Sequence, residues 1–400
     1  MEKMKIASLK HQDKNVDTSF LNEEVAKKAS AFHKSFPQYE PTPLANLKNL
    51  SKELGIKGLF VKDESYRFGL NAFKVLGGSY AIGNYIADRL GKDLSEVPYE
   101  KMISDEVREQ LGEITFASAT DGNHGRGVAW TANQLKQKCR IYMPKGTAAE
   151  RLENIRKENA EADIYDYNYD DCVRLADKYA KEHNGILVQD TSWEGYEDIP
   201  RWIMQGYMTM AYEAYNQLKE QGKEPTHIFL QAGVGSFASA VTGFFANVMK
   251  DNLPIITIVE PHKAACLYQT AAADDGDLHP VTGDLDSIMA GLNCGEPVTV
   301  GWPILQGYAK YFLSVDDIYA AHGMRLLGNT LGDDPKVVSG ESGAVTPGVV
   351  SKLMTDEDLK ELKEKIGLDE NSVVLCFSTE GDTDQVNYRK TVWDGKDPSF

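Results

Sequence analysis

Short runs of β-branched and other apolar residues alternate with amphipathic segments along most of the chain, and this alternation limits the possible folds more than any other feature. Strands are predicted at 58–63, 114–119, 140–143, 163–167, 186–189, 227–231, 255–259 and 373–377. Helices are predicted at 71–90, 126–136, 148–159, 170–182, 199–220 and 237–250. Alternating strands and helices form open, mostly parallel twisted sheets with helices on both faces. The sequence therefore predicts an α/β fold.

The length of 400 residues suggests two domains. Four closely spaced strands between 114 and 190 predict a second, smaller sheet. We therefore expect a large domain of residues 1–80 and 196–400, with a smaller α/β domain of residues 81–195 inserted into it. Such an insertion predicts a cleft between the two domains. The acidic segment 91–113 is expected to form a surface insertion, and 274–286, rich in Asp and Gly, a mobile loop.

The charge excludes one large class of partner. There are 60 Asp and Glu residues against 43 Lys and Arg, a net charge of −17, which argues against a nucleic-acid binder. We expect no membrane span, since the longest weakly polar stretch, 236–249, is too short to cross a bilayer. The five cysteines and eight histidines lack the spacing of metal ligands, so we expect no metal and a cytoplasmic protein with reduced thiols.

A lysine with unusual neighbours is the first candidate for chemistry. Lys74 is flanked by Phe73 and Val75, and on a helix Gly77 and Gly78 would lie beside it. Two residues without side chains would leave room for a planar ring. A desolvated amine beside such a space is typical of a Schiff-base nucleophile, because burial favours the neutral amine. The alternative is a lysine whose charged end reaches solvent from an ordinary amphipathic helix.

The segment 120–126 joins a predicted strand to a predicted helix. Its sequence, TDGNHGR, combines several polar side chains with glycine. A turn of this kind directs backbone N–H groups outward at a helix start, where they can hold a carboxylate. Asp121 would then suit a proton acceptor rather than part of the anion site. The alternative is a simple Asp or Asn helix cap without a ligand.

A glycine turn at 231–238, with the sequence QAGVGSFA, follows the strand predicted at 227–231. Its glycines would let the backbone approach a phosphate, which the start of the next helix stabilises. The turn also fits G-x-G-x-x-A, and Glu260 lies 22 residues beyond Ala238, as in dinucleotide-binding proteins. A nicotinamide-dependent oxidoreductase is therefore an alternative, as is a tight turn without any ligand.

Two later segments are less informative. The sequence GESGA at 340–344 does not fit G-x-S-x-G, so a serine hydrolase is unsupported. Ser378 and Thr379 follow the last predicted strand. They could hydrogen-bond a heterocyclic nitrogen or form a turn.

Taken in order, these segments resemble the fold type II pyridoxal-phosphate enzymes, which include threonine and serine dehydratases, cysteine synthases and tryptophan synthase β chains. The resemblance covers nearly the whole chain and is carried by 41–44, 61–65, 67–74, 120–127, 142–146, 189–196, 202–207, 231–235, 340–344 and 378–383. Within that family, the chain resembles the ammonia-lyase branch that acts on 2,3-diaminopropionate. The resemblance implies a tryptophan synthase β-like fold, a small amino-acid substrate and a homodimer.

The same resemblance implies roles for individual residues. Lys74 would bind the aldehyde of pyridoxal 5'-phosphate, with Asn123 beside the phenolic oxygen of the cofactor. The remaining cofactor contacts would come from Gly233, Val234, Gly235 and Ser236 at the phosphate, from Ser378 or Thr379 at the pyridine nitrogen, and from Glu341. The substrate would bind to the turn of Thr120, Asp121, Gly122, Asn123 and His124, with the substrate carboxylate docked there.

The implied reaction is an α,β-elimination that yields pyruvate and two molecules of ammonia. An amine is a poor leaving group unless it is protonated, so acid–base groups are needed near Cβ. We expect Asp121 to remove Cα–H from one enantiomer and the released Lys74 to do so for the other. Asp190 is a further catalytic candidate that could instead support the cationic substrate by its charge, or merely end a strand. A serine or threonine dehydratase-type elimination is the alternative within the family.

Overall fold

The computed structural model describes residues 4–10 and 12–398. These residues form two compact units. The described residues of the first unit fall within Met1–Asn22, Thr42–Tyr66 and Met210–Phe400, and those of the second within Glu23–Pro41 and Arg67–Thr209. The division predicted from the sequence, at residues 81 and 195, remains a prediction.

The described residues contain eleven strands and sixteen α-helices. The strands are β1 (Met4–Ala7), β2 (Leu44–Asn46), β3 (Gly58–Asp63), β4 (Thr115–Ala119), β5 (Lys138–Met143), β6 (Glu161–Ile164), β7 (Ile186–Leu187), β8 (His227–Gln231), β9 (Ile255–Pro261), β10 (Tyr311–Val315) and β11 (Val373–Ser378). The helices are α1 (Glu23–Lys34), α2 (Lys48–Leu54), α3 (Val75–Arg89), α4 (Tyr99–Met102), α5 (Asp105–Leu111), α6 (Asn123–Gln134), α7 (Ala149–Arg156), α8 (Tyr169–Glu182), α9 (Asp198–Glu220), α10 (Ser236–Met249), α11 (Cys266–Ala273), α12 (Trp302–Tyr308), α13 (Asp317–Gly328), α14 (Glu341–Thr355), α15 (Lys360–Ile366) and α16 (Gln385–Val392).

The first unit contains a seven-stranded sheet in the order β1-β10-β9-β8-β11-β3-β2. The five inner strands run parallel, whereas β1 and β2 pair antiparallel at the two edges. Strands β3, β8 and β11 are buried along their whole length, as expected for parallel strands covered on both faces. The carboxyl ends of parallel strands β8 and β11 lie at the same edge of the sheet, where ligands of such folds bind.

The second unit contains a four-stranded sheet in the order β6-β5-β4-β7. All its pairings are parallel, and its core is built from small and aromatic side chains of β4, β5, β7 and α8. This sheet confirms the smaller sheet predicted between residues 114 and 190. Together the two sheets confirm the α/β class and the mostly parallel arrangement.

Each of the eight predicted strands overlaps an observed one, whereas β1, β2 and β10 were missed. Strands β1 and β2 have only four and three residues, too few to show an alternating pattern. The segment 91–113 contains the short helices α4 and α5 and no strand, as expected. The segment 274–286 contains neither helix nor strand.

A buried ion pair lies within the first unit, on the strand that leads toward the candidate lysine. Lys62 of β3 is fully buried, and its Nζ lies 2.6 Å from a carboxylate oxygen of Glu213. The same ammonium donates to the carbonyl of Thr42 at 2.7 Å and to the side chain of Gln217 at 2.9 Å. A buried charge is tolerated only when it is paired and hydrogen-bonded in this way. The network therefore anchors the carboxyl end of β3 to α9.

Candidate active site

Lys74 directly precedes α3, and its backbone already has helical angles. Its side chain is 21% exposed, and its ammonium pairs with the carboxylate of Asp190. The rings of Phe73 and Tyr207 lie 5.6 and 6.0 Å from Nζ. These groups shield the amine from part of the solvent. The prediction that burial alone would favour the neutral amine omitted Asp190, whose negative charge favours the ammonium form.

The glycines beside Lys74 have a different function from the one predicted. A Cβ on Gly77 would lie 2.6 Å from the ring of Tyr207 and 2.7 Å from Ile203, and one on Gly78 would lie 3.4 Å from Val128. The space is therefore filled by α6 and α9 rather than left open for a ring. The expectation of a vacant slot was wrong, because the missing side chains allow helices to pack closely.

The same close approach is seen from the partner helices. A Cβ on Gly206 of α9 would lie 2.2 Å from the carbonyl oxygen of Leu76, and one on Gly127 of α6 would lie 2.7 Å from the Cα of Val75. Contacts this short would force the helix backbones apart. Glycines on three helices thus fix the first turn of α3, and with it the position of Lys74.

The turn from β4 to α6 is stabilised by Thr120. Its buried hydroxyl oxygen accepts hydrogen bonds from the backbone N–H groups of Gly122, at 2.9 Å, and Gly125, at 3.1 Å. Helix α6 starts at Asn123, three residues before the predicted start. The amide of Gly122, in the predicted carboxylate site, is thus used by the protein itself, so a substrate carboxylate would depend on other donors of this turn.

Asp121 does not pair with Lys74 in this structure. Its side chain is 40% exposed, and one of its oxygens lies 3.2 Å from the guanidinium of Arg151. Arg151 also donates to the backbone carbonyl of Asp121 at 3.2 Å, which fixes the orientation of the carboxylate. Sequence reasoning missed Arg151, because it lies on α7 and no motif connects it with the turn.

Asp190 is the carboxylate that the structure brings to Lys74. It is buried, and burial by itself would raise its pKa, but the charge and hydrogen bond of Lys74 lower the pKa well below its usual value. The carboxylate is therefore ionised at neutral pH. The alternative interpretation of Asp190, a residue that merely ends a strand, does not account for this pairing.

Two aromatic side groups complete the surroundings of Lys74 and Asp190. The buried Tyr207 ring packs against Phe73 with ring centroids 4.7 Å apart, and burial raises the pKa of Tyr207, so its hydroxyl keeps its proton. His124 is 5% exposed, and its Nε2 lies 2.9 Å from the carbonyl oxygen of Val188. The sequence had not indicated Tyr207, which lies 133 residues beyond Lys74 in the chain.

The first unit contains the predicted glycine turn, between β8 and α10. Gly235 has a φ of +104°, which side chains disfavour, and it directly precedes Ser236, the first residue of α10. Helix α10 has 14 residues, and its amino-terminal N–H groups and dipole favour an anion. A Cβ on Gly233 would lie 3.2 Å from the sulfur of Cys294, so this glycine lets the turn pack tightly. Val234 contributes a carbonyl that accepts a hydrogen bond from the amide of Val298 at 2.8 Å.

The two predicted hydroxyls at the end of β11 are buried and hydrogen-bonded. Ser378 donates to the hydroxyl of Ser339 at 2.8 Å, and Thr379 accepts a hydrogen bond from Gln231 at 2.8 Å. Gln231 immediately precedes the glycine turn, so the turn and the end of β11 meet. Glu341, the first residue of α14, is also buried. Through Gln231, the predicted cofactor residues 233–236 lie near the predicted residues 378–379 within this unit.

Glu260 does not support the nicotinamide alternative. It is fully buried, and its carboxylate oxygens accept hydrogen bonds from the backbone N–H groups of Leu267, at 2.9 Å, and Tyr268, at 2.6 Å. A ribose-binding carboxylate must face the ligand. Here the carboxylate is used to hold the start of α11.

The structure also bears on cysteines, metals and membranes. No disulfide joins Cys266 to Cys294, and Cys266 donates to the carbonyl of Gly233 at 3.8 Å. Across the residues described, no group of His, Cys, Asp or Glu side chains is arranged to hold a metal ion. Within residues 4–10 and 12–398, every helix is too short or too polar to cross a membrane.

Residues 36–376 match the family model described as pyridoxal-phosphate dependent enzyme. The chain belongs to this family of pyridoxal-phosphate dependent enzymes. Among its relatives, it is 51% identical to the diaminopropionate ammonia-lyase of Salmonella typhimurium, over 94% of both chains. A crystal structure of holo diaminopropionate ammonia lyase from Escherichia coli superposes with a TM-score of 0.93 at 46% identity, over 99% of this chain and 98% of that one. A second, in complex with an aminoacrylate-PLP azomethine reaction intermediate, has a TM-score of 0.91 at 46% identity and the same coverage.

Each unit, taken by itself, has a feature that suits the chemistry of this cofactor. Lys74 offers a primary amine directly before α3, with its side chain 21% exposed. The turn at Gly235 leads into the amino terminus of α10, whose N–H groups and dipole favour a phosphate. The fold type II assignment and pyridoxal 5'-phosphate as cofactor are therefore confirmed, while the role of each residue stays a prediction.

The interpretation of the two glycines of α3 can be tested by a matched pair of substitutions. Gly77→Ala should lower the free energy of unfolding by about 1–3 kcal/mol, because the new methyl group overlaps Tyr207 and Ile203. Gly78→Ala should be neutral or should raise it by up to about 1 kcal/mol, because its Cβ would make an ordinary contact and alanine favours helices. Urea unfolding followed by circular dichroism measures both. Equal effects of the two substitutions would contradict the packing explanation.

Proposed function

We propose that this chain catalyses the pyridoxal-phosphate-dependent α,β-elimination of 2,3-diaminopropionate to pyruvate and two molecules of ammonia. The observation that carries the proposal is the 51% identity to a diaminopropionate ammonia-lyase over 94% of both chains. The pairing of Lys74 with the buried Asp190 supplies a matching site. The enzyme is a carbon–nitrogen lyase of amino-acid degradation.

Pyridoxal phosphate, when bound, withdraws electrons from Cα of an attached amino acid, which makes loss of the β substituent possible. The protein must bind the cofactor, orient the breaking bonds and exclude water. In our proposal Lys74 binds the aldehyde carbon and 233–236 the phosphate. Asn123 would lie beside the phenolic oxygen, and Ser378 or Thr379 would provide a neutral hydroxyl for the pyridine nitrogen. Glu341 completes the predicted cofactor contacts.

The proton transfers are assigned to Asp121 and Lys74, and Asp190 is assigned a role through its charge. Asp121, held by Arg151, removes Cα–H from one enantiomer, and the released Lys74 removes it from the other. Asp190 carries a negative charge next to the amine of Lys74, where it also stabilises a cationic substrate. The turn of Thr120, Gly122, Asn123 and His124 is proposed to bind the substrate, with its carboxylate on the amides that Thr120 leaves available.

The leaving ammonia departs with the electron pair of the Cβ–N bond, so the β nitrogen must stay protonated until that bond breaks. A nearby carboxylate favours the charged ammonium form by its opposite charge. Hydrolysis of the released product then yields pyruvate and the second ammonia. The proposal also includes a homodimer located in the cytoplasm that binds neither nucleic acid nor membrane, as the family resemblance and the charge of −17 indicate.

A panel of amino acids separates this reaction from the dehydratase alternative. We expect 2,3-diaminopropionate to be the best substrate, with two molecules of ammonia released for each pyruvate. Pyruvate is measured with lactate dehydrogenase and ammonia with glutamate dehydrogenase. If serine or threonine is preferred, with one ammonia for each keto acid, the proposed substrate is wrong.

Lys74→Ala should lower kcat by several orders of magnitude, because the amine that binds the cofactor and moves the proton is lost. In the wild type, borohydride should bleach the visible absorption of the cofactor and attach it to Lys74, as mass spectrometry of peptides would show. In the variant the label should be absent, while circular dichroism stays unchanged. If Lys74→Ala turns over substrate at the normal rate, Lys74 is not the residue that binds the cofactor and moves the proton.

Asp121→Asn and Asp190→Asn form a second pair of variants. Because an amide cannot accept the Cα proton, Asp121→Asn should lower kcat for one enantiomer of 2,3-diaminopropionate by about 100-fold or more and spare the other. Asp190→Asn should impair both enantiomers, since it removes the charge next to Lys74. Rates are compared for the two pure enantiomers. Equal, mild losses for Asp121→Asn would leave this residue only a structural role.

A further inference from the structure

The ring of His124 has a defined hydrogen position. Its Nε2 lies 2.9 Å from the carbonyl oxygen of Val188. A carbonyl oxygen can only accept, so Nε2 must carry the hydrogen. In the neutral ring Nδ1 is then a bare acceptor.

The ring is neutral in its surroundings. It is 5% exposed, and burial lowers the pKa of His124, although Asp190 acts in the opposite direction. Nδ1 is buried and has no hydrogen-bond partner among the described residues. Because a buried acceptor without a partner is costly, such an atom is a place where a ligand donor is expected to bind.

The charges around His124 determine which donor fits. Asp190 and Asp121 are its acidic neighbours, and Lys74 is the basic one, already paired with Asp190. A carboxylate of the ligand would be repelled by the Nδ1 lone pair and by the negative charge of Asp190, so a carboxylate is excluded as the group that binds here. An ammonium group brings three N–H donors and a positive charge, which suits both groups.

We propose that the side chain of His124 accepts a hydrogen bond from the β-ammonium group of the substrate. This inference rests on the proposed function and deepens it, because it names the group that recognises the leaving amine. The cofactor, when bound, would engage the α-amine of the substrate, so the β-ammonium is the cationic donor that remains for the protein to bind. The sequence had placed His124 at the substrate carboxylate, the opposite end of the molecule.

The role requires no proton transfer to the ring. When the Cβ–N bond breaks, its electron pair stays on the nitrogen, and the ammonium leaves as ammonia with its three hydrogens. Nδ1 accepts one N–H before and after this step. The hydrogen bond therefore keeps the β nitrogen protonated and directs it away from Cα.

Substituting His124 by glutamine or by asparagine separates the two functions of its ring, which are the hydrogen bond to Val188 and the acceptor at Nδ1. Glutamine at position 124 can still donate to Val188 but lacks an acceptor at Nδ1, whereas asparagine offers an oxygen near Nδ1 and loses the bond to Val188. His124→Gln should lower kcat/KM for 2,3-diaminopropionate by about 10- to 100-fold, the effect of one hydrogen bond to a charged group. His124→Asn should stay closer to the wild type.

Alanine serves as the control ligand, because its Cβ carries no donor. Its dissociation constant, from titration of the visible absorption of the holoenzyme, should change by less than about threefold in His124→Gln, below the effect of one such hydrogen bond. The inference is overturned if this variant keeps its kcat/KM, if alanine binding weakens equally, or if His124→Asn is the more impaired variant. The last result would indicate a structural role through Val188.

A measurement on the wild type covers the case in which a variant does not fold. In holoenzyme labelled with nitrogen-15 histidine, the Nδ1 resonance of His124 should shift with ammonium chloride and not with tetramethylammonium chloride, which has no N–H. Absence of that difference overturns the inference. If the wild type instead fails to release pyruvate and two ammonia from 2,3-diaminopropionate, the proposed function itself is wrong, whichever result the titration gives.

Discussion

The closest helix packing in the second unit determines where its chemistry takes place. Gly77 of α3, Gly127 of α6 and Gly206 of α9 meet neighbouring helices so tightly that a Cβ at any of them would overlap other atoms. Because helix backbones in such close contact cannot shift past one another, the start of α3 is held in one position. Lys74 directly precedes α3, so its position relative to Asp190 depends on this helix packing. The amine is thus positioned by backbone contacts as well as by its own partner.

Lys62 and Lys74 are both paired with a buried carboxylate, but the two pairs have different consequences. Lys62 is paired with Glu213 and fully enclosed, so its partners leave no place for a ligand. Lys74 is paired through Asp190 and remains partly exposed, so this pair can be opened by a substrate. One pair anchors a strand, and the other is available for chemistry. Burial distinguishes the two lysines, because the side chain of Lys62 is fully buried and that of Lys74 is 21% exposed.

Most of the fold could be predicted from the sequence, because the spacing of apolar residues and the residues of turns are local signals. All eight predicted strands exist, and the missed ones are the short edge strands β1 and β2 and the inner strand β10. The site was predicted less well. The space beside Gly77 and Gly78 is filled by residues 49 or more positions away, and Arg151, which pairs with Asp121, lies 30 positions from it. Contacts between distant residues leave no local pattern to read.

The sequence by itself determined the α/β class, because the spacing of apolar residues in strands and helices is a local signal. The resemblance to a known family indicated the cofactor, and Lys74 and the glycine turn at 233–236 remain the residues predicted to bind it. The tertiary structure decided that Asp190 is the partner of Lys74, that Glu260 holds a helix start, and that His124 keeps one buried acceptor. These outcomes depend on packing between segments far apart in the chain, where burial and charge are set only after folding.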